Sequence, residues 1–282
     1  MRRPWPAVAL LALVAAASVH AAQPVLRLAT TTSTADSGLL AAILPAFEKS
    51  CGCRVDVIAV GTGQALEIGR RGDADVVFVH ARAAEDQFVA QRHARARRDV
   101  MYNDFVVVGP SEDPAKIGGV RLAADAFAAI ARASVRFVSR GDKSGTEAAE
   151  KSVWAAARIA PAGKAWYGSL GQGMGETLIT ANEQGAYTLS DRGTWLAMEG
   201  KLPHLRLLVG GKTLRENPDM SLRNQYGVLV VSPDAHPGVN AALAQRFADW
   251  IVSGPAQDAI GRYGREKFGQ PLFYPNAASR ER

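Results

Sequence analysis

The sequence predicts an α/β protein of two lobes, each a mainly parallel sheet flanked by helices, joined by two crossover strands. Three observations predict it. Short β-branched runs alternate with longer segments whose apolar residues recur at helical spacing, which is the rhythm of strands connected through helices. Two similar segments, NDFVVVGP at Asn103–Pro110 and NQYGVLVVSP at Asn224–Pro233, start about 120 residues apart. The loops that follow the strands are rich in hydroxyls and glycine, and ligands of open α/β sheets sit beyond those strand ends.

Val25–Ala29 is expected as the first strand and Ser37–Lys49 as the helix after it. Arg54–Val60 and Val76–Val79 follow as strands, with a helix at Gln64–Arg70 between them. The second half continues with Arg136–Ser139 as a strand, Thr146–Arg158 and Glu176–Gln184 as helices, and Ala186–Leu189 as a strand. Each of the paired segments has a polar start, an aromatic, a β-branched run and a terminating Gly-Pro or Ser-Pro turn. As crossovers they divide the chain into a first lobe of residues 22–104 and 228–282 and an inserted second lobe of residues 105–227. Such lobes close on a ligand by hinge motion. The competing reading makes both segments ordinary buried strands of one sheet.

The N-terminus bears on compartment. Arg2 and Arg3 precede an apolar run from Ala7 to Val19, and Val19-His20-Ala21 fits the small-residue rule for cleavage. Residues 1–21 therefore form a secretory signal peptide, too short for a spanning helix. Losing Arg2 and Arg3 takes the formal charge from +6 to +4. No cysteine lies at the cleavage site, which argues against a lipid anchor. Lysines and arginines are scattered and aromatics few, which speaks against nucleic acid. The densest basic group, Arg92, Arg95, Arg97 and Arg98, suits a solvated surface. Cys51 and Cys53 are the only cysteines. In an oxidising compartment they can close a small disulfide, either a turn staple between helix and strand or a redox pair.

SRGDKSGTEAAE, Ser139–Glu150, carries the sharpest chemistry. Ser144 and Glu147 have the spacing of a capping box at a helix start. Unpaired N–H groups there carry partial positive charge, and Gly145 and Thr146 are small enough to let an anion approach. Arg140 adds a forked, permanently charged donor. The bland alternative is a capped helix behind a surface arginine. Thr30–Ser33 lies after the first strand, Thr62 sits between Gly61 and Gly63, and GQGMGETL offers the N–H groups of Met174 and Gly175. Any one of these hydroxyls can instead serve as a helix cap. No cofactor or metal is called for: the histidines are dispersed, and the glycine loops lack the P-loop pattern.

TTTSTADSGLL, AVGTGQALEIGRRGDADVVFVHA, RRDVMYNDFVVVGP, SRGDKSGT, GQGMGETL, AYTLSDR and EKFGQPLF occur in this order over nearly all of the mature chain. Together they resemble the tungstate-receptor family of Tup-type ABC importers. The resemblance implies a monomeric periplasmic binding protein of type II fold that passes tungstate, or secondarily molybdate, to a permease and its ATPase. Carried over by position, it implies ligand contacts from Thr31, Thr62, Arg140, Thr146 and the Met174 backbone, with Thr32, Ser33 and Gly175 in the same loops. Lys143 and Glu147 stand where relatives are expected to carry an acid and a histidine, and Cys51 and Cys53 replace a Thr-Gly-Tyr type turn.

The ligand chemistry fits those residue types. Tungstate and molybdate are fully deprotonated at neutral pH and only accept hydrogen bonds, so their site offers hydroxyl, N–H and guanidinium donors. Phosphate keeps a proton, and Asp142 beside Arg140 is the residue that would accept it in a phosphate receptor. The preferred reading has Asp142 orienting Arg140 or capping its own turn. A secreted phosphatase or sulfatase would need a nucleophile with a base. Ser33 and Ser144 have no obvious histidine partner, and His80, the best candidate base, is better explained as a residue at a strand end. No catalytic residue is assigned.

Overall fold

The computed structural model describes residues 23–277, so the expected signal segment lies outside the described residues. The chain opens with β1 (Val25–Thr31), α1 (Thr32–Asp36), α2 (Leu39–Cys51), β2 (Arg54–Val60), α3 (Thr62–Arg70), β3 (Val76–Val79) and α4 (Arg82–Ala90). A long strand, β4 (Ala94–Pro110), leads out of this group. Next come α5 (Ala123–Ala133), β5 (Phe137–Ser139), α6 (Gly145–Ala156), β6 (Tyr167–Ser169), α7 (Met174–Gln184), β7 (Thr188–Asp191), α8 (Arg192–Met198) and β8 (Leu205–Val209). The chain returns through β9 (Arg223–Val231) and ends with α9 (Ala241–Ile251), α10 (Gly254–Arg262), α11 (Arg265–Phe268) and β10 (Tyr274–Pro275).

Alternation along the strands buries both faces of the first lobe's sheet. Val76 and Phe78 of β3 join one core with Leu26, Leu28, Phe47 and Phe247. Val77 and Val79 point the other way, toward Ala29, Phe88, Leu229 and Val231. β4 contributes to both lobes. Its Val100 and Met101 belong to the first core, while Phe105 and Val107 face Phe127, Phe137 and Trp154 of the second lobe. Val106 and Val108 pack on Met174, Leu178 and Trp195. Each such side chain contributes roughly 1.5–3 kcal/mol by leaving water, so each lobe carries a core of its own.

The main sheet runs β10-β4-β9-β3-β1-β2, with β7 and β8 on the far half of β4. β1 pairs parallel with β2 and β3, and β5 with β6, but β9 is antiparallel to both β3 and β4. β7, β8 and β10 also run antiparallel to β4. The expectation of mainly parallel sheets is therefore corrected to mixed ones. The cause is topological: β4 leaves the first lobe and β9 re-enters it, so neighbours at the connection must point opposite ways.

β4 crosses between the lobes as the sequence suggested for Asn103–Pro110. Its partner segment behaves differently. Asn224–Val231 pairs with β3 and the first half of β4, Tyr226 and Val228 pack in the first core, and Leu222 packs in the second. The return step falls just ahead of Asn224, with Asp104 and Arg223 as register partners. A buried ion pair marks this crossing. Arg192 Nε and Nη2 donate to the two oxygens of Asp104, each at 2.7 Å. Its remaining N–H groups reach the carbonyls of Gly210, Gly211 and Lys212, and Asn217 Nδ2 also donates to Asp104.

Cys51 and Cys53 are disulfide-bonded across the left-handed Gly52 that ends α2, which makes the pair a turn staple between helix and strand. Among the described residues no helix is long and apolar enough to cross a membrane.

Candidate functional site

A cavity of about 1010 Å³ opens between the lobes. Of the eight site residues expected from sequence, Thr32, Ser33, Arg140, Thr146, Met174 and Gly175 line it. Thr31 lies just behind the wall, only 3 % exposed, where it caps α1 by accepting from the Thr34 N–H. Its hydroxyl is also 2.6 Å from Thr34 Oγ1 and 3.1 Å from Ser33 Oγ. Thr62 is the first residue of α3, behind an N-cap glycine that supplies no side-chain cap. Its hydroxyl is buried without a hydrogen-bond partner among the described residues, a cost of about 1–3 kcal/mol for a group of this kind.

Arg140 follows β5 directly, and its position is set by the turn that leads into α6. It is buried, with Nε and Nη2 donating to Asp142 Oδ2 at 3.1 and 2.5 Å and Nη1 to Thr146 Oγ1 at a long 3.4 Å. These bonds engage three of a guanidinium's five N–H groups. Asp142 Oδ1 also accepts the Ser144 N–H. Burial alone would raise the Asp142 pKa, but hydrogen bonds from Ser144 and Arg140 outweigh it and hold it below the usual carboxylate range. The predicted capping box is present in altered form. Ser144 Oγ accepts from the Glu147 N–H, while Glu147 reaches the N–H of Lys143 rather than that of Ser144. Beside Arg140 on the same lobe, where the Gln172 N–H donates to the Arg140 carbonyl at 3.0 Å, α7 begins at Met174, and its N-cap Gly173 supplies no side-chain bond, so the first N–H groups of this helix are left for another partner.

The floor is built by residues that the sequence reading did not assign to the site. Asn103 and Asn224 face each other in register, and Asn224 Nδ2 donates to Asn103 Oδ1 at 2.8 Å. They are the polar first residues of the two similar segments, so a signal was present. His80 also lines the cavity. Its Nδ1 is 2.9 Å from Asn224 Oδ1, and its Nε2 is 3.2 Å from Thr31 Oγ1 and 3.5 Å from Ser33 Oγ. The absence of a histidine partner for Ser33 is thus corrected, because β1 and β3 are neighbours and bring their C-terminal ends together. The pair makes a poor nucleophile and base. Thr31 is nearer the ring, and burial lowers the His80 pKa to about 4, with Arg140 adding to the shift and Asn224 and Asp191 opposing it. The Tyr226 ring lies against His80, tilted by 35° with centroids 4.7 Å apart, and burial pushes its phenol pKa up.

Asp36, Glu176 and Glu266 line the cavity as well as Asp191 and Asp142, and the last two are held by protein donors. Asp191 accepts from Thr194 N and Thr194 Oγ1 at 2.8 and 2.7 Å, and Asp142 is held as described. Around Arg140 the cleft presents the hydroxyls of Thr32, Ser33 and Thr146 and the start of α7, and Arg262 and Lys267 add positive charge elsewhere on its wall. Two lobes and a cleft of that chemistry define the class of two-lobed binding proteins for small anions.

A family model described as the PBP superfamily domain matches residues 18–255. The tungstate-binding protein TupA of Peptoclostridium acidaminophilum is 48% identical over 254 residues, covering 89% of this chain and 85% of its own. The protein of the same name from Campylobacter jejuni is 37% identical over 253 residues, covering 88% and 90%. Among solved structures, the tungstate-binding protein TupA from Desulfovibrio alaskensis G20 aligns with a TM-score of 0.80 at 43% identity, over 90% of this chain and 100% of that one. The chain belongs to the PBP superfamily and, within it, to the TupA family.

Proposed function

We propose that this protein is the periplasmic receptor of a tungstate importer, capturing the oxyanion between its lobes and delivering it to an ABC permease and its ATPase without chemical turnover. It acts as a monomer, with molybdate as a second ligand. The observation that carries the reading is Arg140, a buried guanidinium with engaged and unengaged N–H groups, beside Thr146 and the uncapped start of α7 on one lobe and across the cleft from Ser33. Relatives named for tungstate binding support the choice of anion. Five or six charge-assisted hydrogen bonds at roughly 1.5–3 kcal/mol each support submicromolar binding after ordering costs of several kcal/mol. Thr31, Thr32, Ser33, Thr62, Arg140, Thr146 and the N–H groups of Met174 and Gly175 are the proposed donors. Thr62 and Thr31 come into reach as the lobes close. The lobes divide at Asp104–Phe105 and, supported by core membership, at Leu222–Arg223 rather than at 227/228.

Calorimetric titration of the mature protein with tungstate, molybdate, sulfate and phosphate tests this. Tungstate is expected to bind with submicromolar affinity and to raise the melting temperature, with sulfate and phosphate doing little at equal concentration. A tighter response to phosphate would overturn the reading and make Asp142 the acceptor of the ligand's proton.

A further inference from the structure

His80 is a half-buried, titratable ring on the cleft floor for which donor-only capture has no use. The Asn224 amide is fixed by its bond to Asn103, so the Asn224 oxygen faces the ring and the proton of the neutral imidazole sits on Nδ1. Nε2 is then an acceptor, within 3.2 Å of Thr31 Oγ1 and 3.5 Å of Ser33 Oγ. A hydroxyl has a single hydrogen to give. Whichever of these two gives it to Nε2 turns lone pairs toward the cleft. That orientation is wrong for a ligand whose oxygens are all acceptors.

We propose, building on the oxyanion reading above, that His80 is a positioning residue that takes up one proton from solvent as a fully deprotonated oxyanion binds. The Nε2–H of the imidazolium then donates to whichever of Thr31 Oγ1 and Ser33 Oγ had donated to the ring, and that hydroxyl's hydrogen is released toward the ligand. No covalent bond forms or breaks; one proton enters with each anion.

Every element packed on the ring enters the balance. Asp191 at the end of β7 favours the charged ring, and Arg140 after β5 disfavours it. Asp142 is tied to Arg140 and offsets part of its charge. Gly145, at the start of α6, sits so close that a Cβ there would lie 2.5 Å from His80 Cε1, and the positive end of that helix also opposes protonation. Tyr226 on β9 and the hydroxyls of Thr31 and Ser33 carry no charge. In the free protein burial wins and the ring is neutral. A dianion a few ångströms away reverses the sign of the local field and moves the titration up by roughly 3 or more pH units. With the pKa higher in the complex than in the free protein, affinity rises as pH falls between the two values, by at most tenfold per unit. Above the higher value it is flat.

The test is calorimetric titration of the mature protein with sodium tungstate at pH 7 in two buffers of different ionisation enthalpy, paired with nitrogen-15 NMR of labelled histidine. Uptake of between half a proton and one proton per tungstate is expected, with the His80 signals moving from the Nδ1–H tautomer to the imidazolium. Between pH 8 and 6.5 the affinity should rise several-fold per unit. His80→Gln, which keeps a polar side chain but cannot titrate, should bind with a flat pH profile and no uptake. Asn224→Asp gives the ring an anionic partner already in the free protein, so uptake should vanish there even where affinity drops. Tungstate binding with no proton uptake and a neutral ring overturns the proposal while the oxyanion reading stands, as does uptake that persists in His80→Gln. Absence of any tungstate binding overturns both.

Discussion

Two buried arginines, Arg192 at the crossing between the lobes and Arg140 in the cleft, carry the same charge to opposite ends. Arg192 has a bidentate carboxylate and three carbonyls, which engages all five of its N–H groups. Arg140 leans on one oxygen of Asp142 and makes a single long bond to Thr146. Both are nearly inaccessible, at 2 % and 8 % exposure, so burial does not separate them. Saturation does. A guanidinium with every donor matched is a fixed part of the frame, and one with donors to spare is a half-made site that a ligand completes.

Removing the saturated arginine is the harshest test of that contrast. Arg192→Ala leaves Asp104 buried without its partner and should destabilise the empty protein by about 3–5 kcal/mol, read by urea unfolding. If stability holds, saturation is not what distinguishes the two sites. Arg140→Ala should do the reverse, weakening tungstate binding by about 2–5 kcal/mol and leaving the empty protein's unfolding midpoint nearly unmoved. Arg140→Lys should recover only part of the affinity, since a point charge cannot reproduce the planar fork. Wild-type affinity in Arg140→Ala would make Arg140 another structural arginine.

Two smaller changes sharpen the cleft side. Gly145→Ala places a methyl against the His80 ring, so overpacking should cost the empty protein roughly 1–3 kcal/mol. Alanine is the better helix former and offsets part of that cost, so thermal melting of the empty variant should show a small net loss. Thr62→Val removes the orphaned buried hydroxyl. Binding should fall by about 1 kcal/mol while the empty protein is unchanged or stabilised. Opposite signs in calorimetry and unfolding would mark Thr62 as a donor awaiting its ligand. A loss in both would mark it as structural.

Much of this was legible in the linear sequence, for identifiable reasons. Val76–Val79 is an uninterrupted apolar run, Arg54–Val60 alternates polar residues with valines before an apolar end, and with turn residues bounding both they are strands with the expected limits. Arg140, Thr146 and the start of α7 were readable because local chemistry, a cap and a glycine turn, positions them. Strand direction was not readable: the antiparallel course of β9 depends on where the chain re-enters the first lobe, which no local pattern encodes. Nor was the Ser33–His80 proximity, since 47 residues separate them and only the pairing of β1 with β3 joins them. Asn103 and Asn224 were noticed as similar starts, but their similarity was read as the mark of two crossovers and not as a facing pair of side chains.

The place of β9 between β3 and β4 sets an order on biosynthesis. β1, β2 and β3 can pair with one another as soon as Val79 has emerged, yet the free side of β3 waits for residues 227–230. For about 150 residues of delivery, the apolar strand Val76–Val79 has an unpaired edge, the kind of surface that invites wrong partners. The inserted lobe faces no such delay, because β5 to β8 and their helices are contiguous in the chain. It is the unit expected to fold first, with the lobe that begins the polypeptide finishing last.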